Sequence, residues 1–89
     1  MLINSIERSD KFKRSYKKLP VSIQKKFSKQ IKFLIRDFHH PSIRTKKLTG
    51  AEDIWEARVD RKYRFLFQIT NNILRLLLIG PHDEGLGKK

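Results

Sequence analysis

The sequence has no cysteine, which excludes disulfides and thiolate metal sites. With four glycines and three prolines, it forms no glycine-rich phosphate loop. A helical His/Glu zinc motif, a nucleophile elbow and internal repeats are absent too. No apolar run approaches the roughly 20 residues of a membrane span, because Arg75 interrupts the best candidate, Ile73 to Ile79. The start, MLINSIERSD, lacks a secretory apolar region, so a cytoplasmic protein is expected. Acidic residues are scarce: 9 Asp/Glu stand against 21 Lys/Arg, a net charge of +12.

That charge is unevenly spread. Residues 1–50 carry 14 Lys/Arg against 3 Asp/Glu, and residues 51–89 carry 7 against 6. The first half is therefore a cationic surface, which attracts nucleic acid, an anionic membrane or an acidic protein. Charge alone does not choose among them. The 89 residues suffice for one domain with a single core.

The stretch Ile54 to Glu84, IWEARVDRKYRFLFQITNNILRLLLIGPHDE, organises the rest. Trp55, Ala57 and Val59 alternate with Glu56 and Arg58, as in a strand burying one face. Tyr63, Phe65, Phe67 and Ile69 do the same against Arg64, Leu66 and Gln68. Both apolar sides face one core only if Val59 pairs with Tyr63, making Asp60-Arg61-Lys62 a three-residue hairpin loop. This register sets Arg58 opposite Arg64. Ile73 to Ile79 reads as a central strand covered on both faces, after an Asn71-Asn72 turn that suits positive φ.

Upstream, Leu2 to Glu7 alternates enough to be a first strand, at a sheet edge or beside the third run. Ser9 predicts an N-cap and Asp10 a first turn, with Phe12, Tyr16 and Leu19 at helical spacing. Pro20 opens a second helix whose apolar stripe is Ile23, Phe27, Ile31, Leu34 and Phe38. Lys25, Lys29, Lys32 and Arg36 lie opposite. The expected fold is α+β, a small antiparallel β-sheet of about four strands in β-α-α-β-β-β order with a two-helix hairpin on one face. Its parts are a strand at 2–7, helices at 9–19 and 20–38, a basic loop at 39–53, a β-meander at 54–80 and a tail at 81–89. Pro41 ends the second helix.

Opposed arginines repel and weaken a strand pairing. A phosphate shared by both guanidinium groups would favour keeping them, since it matches their planar donor forks. The alternative is a pair of solvated arginines on an open face, paired with Glu56. Lys46 and Lys47 enter beside this face, and Gly80-Pro81 re-aims the chain so that His82 could turn toward it. Lys29 and Lys32 form either a solubilising helix face or, with Arg61, part of a phosphate track. Adjacent His39 and His40 cannot both point at one metal from a regular element, so no metal site is expected.

The order of these parts, with Lys47-Leu48-Thr49-Gly50, Trp55-Glu56-Ala57-Arg58, Tyr63-Arg64 and Gly80-Pro81-His82-Asp83, resembles the RelE/ParE superfamily of toxins from type II toxin–antitoxin modules. The resemblance covers nearly the whole chain. It implies an endoribonuclease that cuts messenger RNA, typically in the ribosomal A site, with no metal and no cofactor. Arg64 then contacts the scissile phosphate, Arg58 lines the same site and His82 is a catalytic histidine. Lys46 or Lys47 holds the RNA, and Glu56 or Glu84 serves as the base. An acidic cognate antitoxin is the implied partner, in a toxin–antitoxin hetero-oligomer. Other branches imply a ParE-like inhibitor of DNA gyrase or a non-catalytic RNA-binding relative. The tail lacks the tyrosine that several RNA-cutting relatives carry there, and Glu56 sits where at least one branch has a lysine.

Overall fold

A computed structural model describes residues 3–48, 50 and 53–81. The elements run β1 (Ser5–Arg8), α1 (Asp10–Lys17), α2 (Val21–Arg36), β2 (Lys46–Lys47), β3 (Trp55–Arg58), β4 (Tyr63–Thr70) and β5 (Ile73–Pro81). No helix among the described residues is long and apolar enough to cross a membrane.

Local sequence accounts for the element ends. Ser9 caps α1, its Oγ accepting the Phe12 N–H at 3.0 Å, with Asp10 in the first turn. The second helix stops at Arg36, two residues before Phe38. Asp37 turns to extended backbone, and its carboxylate accepts the His39 N–H at 3.1 Å, an alternative to helix that aspartate offers readily. Pro41 therefore lies beyond a helix that has already ended. Asn71 and Asn72, with φ of 53° and 64°, make the tight two-residue turn between β4 and β5.

The sheet has five strands in the order β1-β5-β4-β3-β2. It is mixed rather than wholly antiparallel, because β1 runs parallel to β5, with Glu7 opposite Arg75. A parallel pair needs a long crossover, and the helices and the other strands supply it. The additional strand is β2, two residues of the expected basic loop that pair with Glu56 and Trp55. β3 and β4 adopt the expected register, and the Val59 N–H donates to the Tyr63 carbonyl at 2.9 Å across the Asp60-Arg61-Lys62 loop.

A bulge shapes β5. Leu66 pairs with Leu78 but Phe67 with Leu76, so Leu77 is the extra residue. Its carbonyl accepts a hydrogen bond from Ser9 Oγ at 2.9 Å. The bulge reverses the strand's alternation, so Leu74, Leu76 and Ile79 are all buried in one core. Gly80 consequently pairs with Arg64, and Pro81 ends the strand opposite Tyr63, so β5 continues through the Gly-Pro pair. The other face of β5 is only partly covered: Ile73, Leu77 and Leu78 are half-buried and Arg75 is exposed.

Both helices pack on the face of Ala57, Phe65 and Phe67. Phe27 meets Phe65 edge-on at 5.1 Å between ring centres, and Phe12 lies 5.6 Å from Phe27, spacings at which aromatic pairs attract beyond their area burial. Gln30 occupies a core position between Phe27 and Leu34 and is 7% exposed. Burying its amide is tolerable only with both donors bonded, and both are: Nε2 donates to the carbonyls of Ser42 at 3.0 Å and Arg58 at 2.9 Å.

Candidate functional site

The alternation that sends Phe65 and Phe67 toward the helices sends Arg64 and Leu66 to the other face. Three strands contribute to one row there, Arg58 of β3 opposite Arg64 of β4, and Arg64 opposite Gly80 of β5. A side chain on Gly80 would meet no described atom within 4 Å, so the flank of Arg64 is unobstructed there among the described residues. The next row is Lys46, Glu56, Leu66 and Leu78.

Each arginine is held differently. The Arg58 N–H donates to the Ile43 carbonyl at 2.7 Å, and its own carbonyl accepts from Gln30. The Arg64 guanidinium folds back on the hairpin loop. Its Nη1 donates to the carbonyls of Asp60 at 2.6 Å and Tyr63 at 3.1 Å, and its Nε and Nη2 make no hydrogen bond among the described residues. Among those residues neither arginine forms an ion pair, whereas Arg75 pairs with Glu7 at 3.2 Å. Arg58 and Arg64 are thus half-buried cross-strand partners with no ion pair among the described residues, and an anion bound by both would offset their repulsion.

Asp60 is the organising residue of the loop. Its Oδ1 accepts the N–H groups of Lys62 and Tyr63, both at 2.9 Å, and its Oδ2 lies 3.4 Å from Lys26 Nζ. Partial burial pushes its pKa up, but those two amides and Lys26 outweigh that, leaving it below the usual aspartate value.

The candidates read from the sequence divide into groups. Arg58, Arg64, Glu56 and Lys46 share one face. Glu56 is buried at 4% exposure, so little of its carboxylate meets solvent. Lys47 pairs with Trp55 and takes the opposite parity from Lys46. Arg61 is exposed at the hairpin tip. Lys29 and Lys32 lie on the exposed side of α2, with the sheet between them and the arginine row. His82 and Glu84 lie outside the described residues. Among the described residues no three His, Asp or Glu side chains cluster as a metal ion requires. Gln30 and Asp60, which anchor the two arginines, were missed by the sequence reading. A lone polar residue in the stripe Phe27-Gln30-Leu34, and an Asp opening a hairpin loop, were the available signals.

No family model matches the sequence, and no curated protein matches it. Solved structures do match. A chain of the archaeal RelE–RelB complex from Pyrococcus horikoshii is 17% identical, with 94% of this chain and 99% of that chain covered and a TM-score of 0.72. YafQ from E. coli is 18% identical over 86% of this chain and 91% of its own, with a TM-score of 0.73. The YoeB/ParE toxin from Agrobacterium tumefaciens is 14% identical over 89% and 99%, with a TM-score of 0.77. The fold of the chain is thus the fold of the RelE, YafQ and YoeB toxins, as its resemblance to the RelE/ParE superfamily implied.

Proposed function

We propose that the protein is the toxin of a type II toxin–antitoxin pair and an endoribonuclease that cuts messenger RNA on the ribosome without a metal ion. The observation that carries this reading is the opposed couple Arg58 and Arg64, with no ion pair among the described residues, beside Gly80, where an added Cβ would meet none of the described residues within 4 Å. A scissile phosphate between the two guanidinium groups accounts for a like-charge pairing that otherwise only weakens the sheet.

Attack by the ribose 2′-oxygen forms a new bond to phosphorus and breaks the bond to the 5′-oxygen, leaving a cyclic phosphate and a free 5′-hydroxyl. Arg58 and Arg64 stabilise the extra negative charge that builds on the phosphate oxygens. His82, two residues past Gly80 in the sequence, gives the proton to the leaving 5′-oxygen, since a histidine titrates near neutrality. Glu56 or Glu84 accepts the 2′-hydroxyl proton. Lys46 and Arg61 hold flanking phosphates. Lys29 and Lys32 sit too far round the molecule to touch the same phosphate and bind at longer range, to the ribosome or to an acidic antitoxin. RelE and YafQ were each solved with a partner, RelB and DinJ, which supports an antitoxin partner here.

A second reading, a gyrase inhibitor without catalysis, is favoured by the absence of tyrosine from the tail. Induction of His82→Ala and Arg64→Ala variants separates the two. The nuclease reading expects each to abolish growth arrest with the circular dichroism spectrum unchanged, and full toxicity in both removes the proposed site.

A further inference from the structure

We propose that α2 sets the aim of both arginines through Lys26 and Gln30, one helical turn apart; this rests on the phosphate-site reading above. Residues four apart share a helix side, and this side faces the end of the sheet where β3 turns into β4. Gln30 reaches the Arg58 carbonyl at 2.9 Å and the Ser42 carbonyl at 3.0 Å. Ser42 precedes Ile43, whose carbonyl takes the Arg58 N–H at 2.7 Å. The backbone of Arg58 is thereby fixed through both its donor and its acceptor at the last residue of β3.

Lys26 acts through Asp60. Its ammonium lies 3.4 Å from Asp60 Oδ2, and Asp60 Oδ1 gathers the Lys62 and Tyr63 amides. The same residue's carbonyl receives Arg64 Nη1 at 2.6 Å. A helix on one face of the sheet thus reaches round its end to hold the groups that aim two cations on the other face. Gln30 is 7% exposed, so an apolar side chain there would fill the core without the two polar bonds. The amide is therefore explained by what it holds rather than by what it buries. Lys26 is 56% exposed in its side chain, and an ion pair so open contributes little to stability. Its consequence is the orientation of the loop. Charge stabilisation at a reacting phosphate depends on donors held to a fraction of an ångström, which makes Lys26 and Gln30 positioning residues and not catalytic ones.

The test uses the full chain in Lys26→Met, Lys26→Arg and Gln30→Leu forms, beside Arg58→Ala and Arg64→Ala. Three quantities are measured: the thermal midpoint, the side-chain Nε–H resonances of Arg58 and Arg64, and kcat and KM for RNA cleavage. Lys26→Met is expected to keep the midpoint, shift the Arg64 resonance and lower kcat by about tenfold with a smaller change in KM. Lys26→Arg, which restores a cation at the same place, returns both toward the original. Gln30→Leu, folded, shifts the Arg58 resonance and lowers kcat likewise. Unmoved resonances and unchanged kcat in Lys26→Met and Gln30→Leu, with activity lost in the arginine variants, overturn the positioning role alone. Full activity in Arg58→Ala and Arg64→Ala overturns the phosphate-site reading and this role with it.

Discussion

Arg58 and Arg64 are direct partners across β3 and β4, and neither forms an ion pair among the described residues. Relieving that repulsion should stabilise the protein while damaging its site. Arg58→Thr is expected to gain about 0.2–1 kcal/mol at low ionic strength and to weaken RNA binding. Arg64→Thr is expected not to gain, because it also removes the Nη1 bonds to the Asp60 and Tyr63 carbonyls. Urea unfolding at low and high salt, with RNA binding followed by fluorescence anisotropy, checks both.

Asp60 makes stability depend on acid. Its pKa in the folded protein lies below the ordinary value of 3.8, with the burial penalty outweighed by the Tyr63 and Lys62 amides and Lys26. A depressed carboxylate contributes stability above its unfolded pKa and loses it as pH falls through the folded one. The midpoint of the original protein should exceed that of Asp60→Asn at pH 6, and the difference should shrink progressively below about pH 4. Thermal melts across that range give the answer, and a difference independent of pH would deny Asp60 this role.

Ser9 links α1 to the bulge in β5, accepting from the Phe12 N–H and donating to the Leu77 carbonyl. Ser9→Ala should cost about 1–2 kcal/mol, from the lost cap and the stranded carbonyl. RNA cleavage per folded molecule should stay unchanged, because the hydrogen bonds of Ser9 run to α1 and β5 and not to Arg58 or Arg64. Denaturant midpoints and specific activity measure the two effects.

Much of this was written into local pattern. Alternation along Trp55–Val59 and Tyr63–Ile69, with three residues between, left one register that kept both apolar sides inside. That register opposed Arg58 to Arg64. The capping Ser9 and the Asn71-Asn72 turn were legible for the same local reason. What was not legible depends on distant partners. The parallel pairing of β1 with β5 joins residues far apart in sequence, and β2 is too short to carry any period. Nothing in the aliphatic run from Ile73 to Ile79 marks Leu77 as the bulge, since every neighbour is equally apolar. The burial of Glu56 and Gln30 was hidden because a polar residue looks solvated until its surroundings are known.

Binding of RNA should fall steeply with salt. Three neutralised phosphates, the scissile one shared by Arg58 and Arg64 and the flanking ones held by Lys46 and Arg61, predict a slope of about −2 in log affinity against log salt for a single strand. Lys46→Ala should flatten the slope by roughly one contact's worth, about 0.7. Titrations at several salt concentrations measure this, and a flat response in the original protein would count against the cationic face as an RNA site.

The central claim is that the paired guanidinium groups serve scission of RNA. Primer extension on cellular transcripts after induction, with the original protein beside Arg64→Ala, tests it most directly. The account predicts new 5′ ends within coding regions that appear with the original protein and vanish with the variant. Intact transcripts together with rising DNA damage would contradict it and point to gyrase instead.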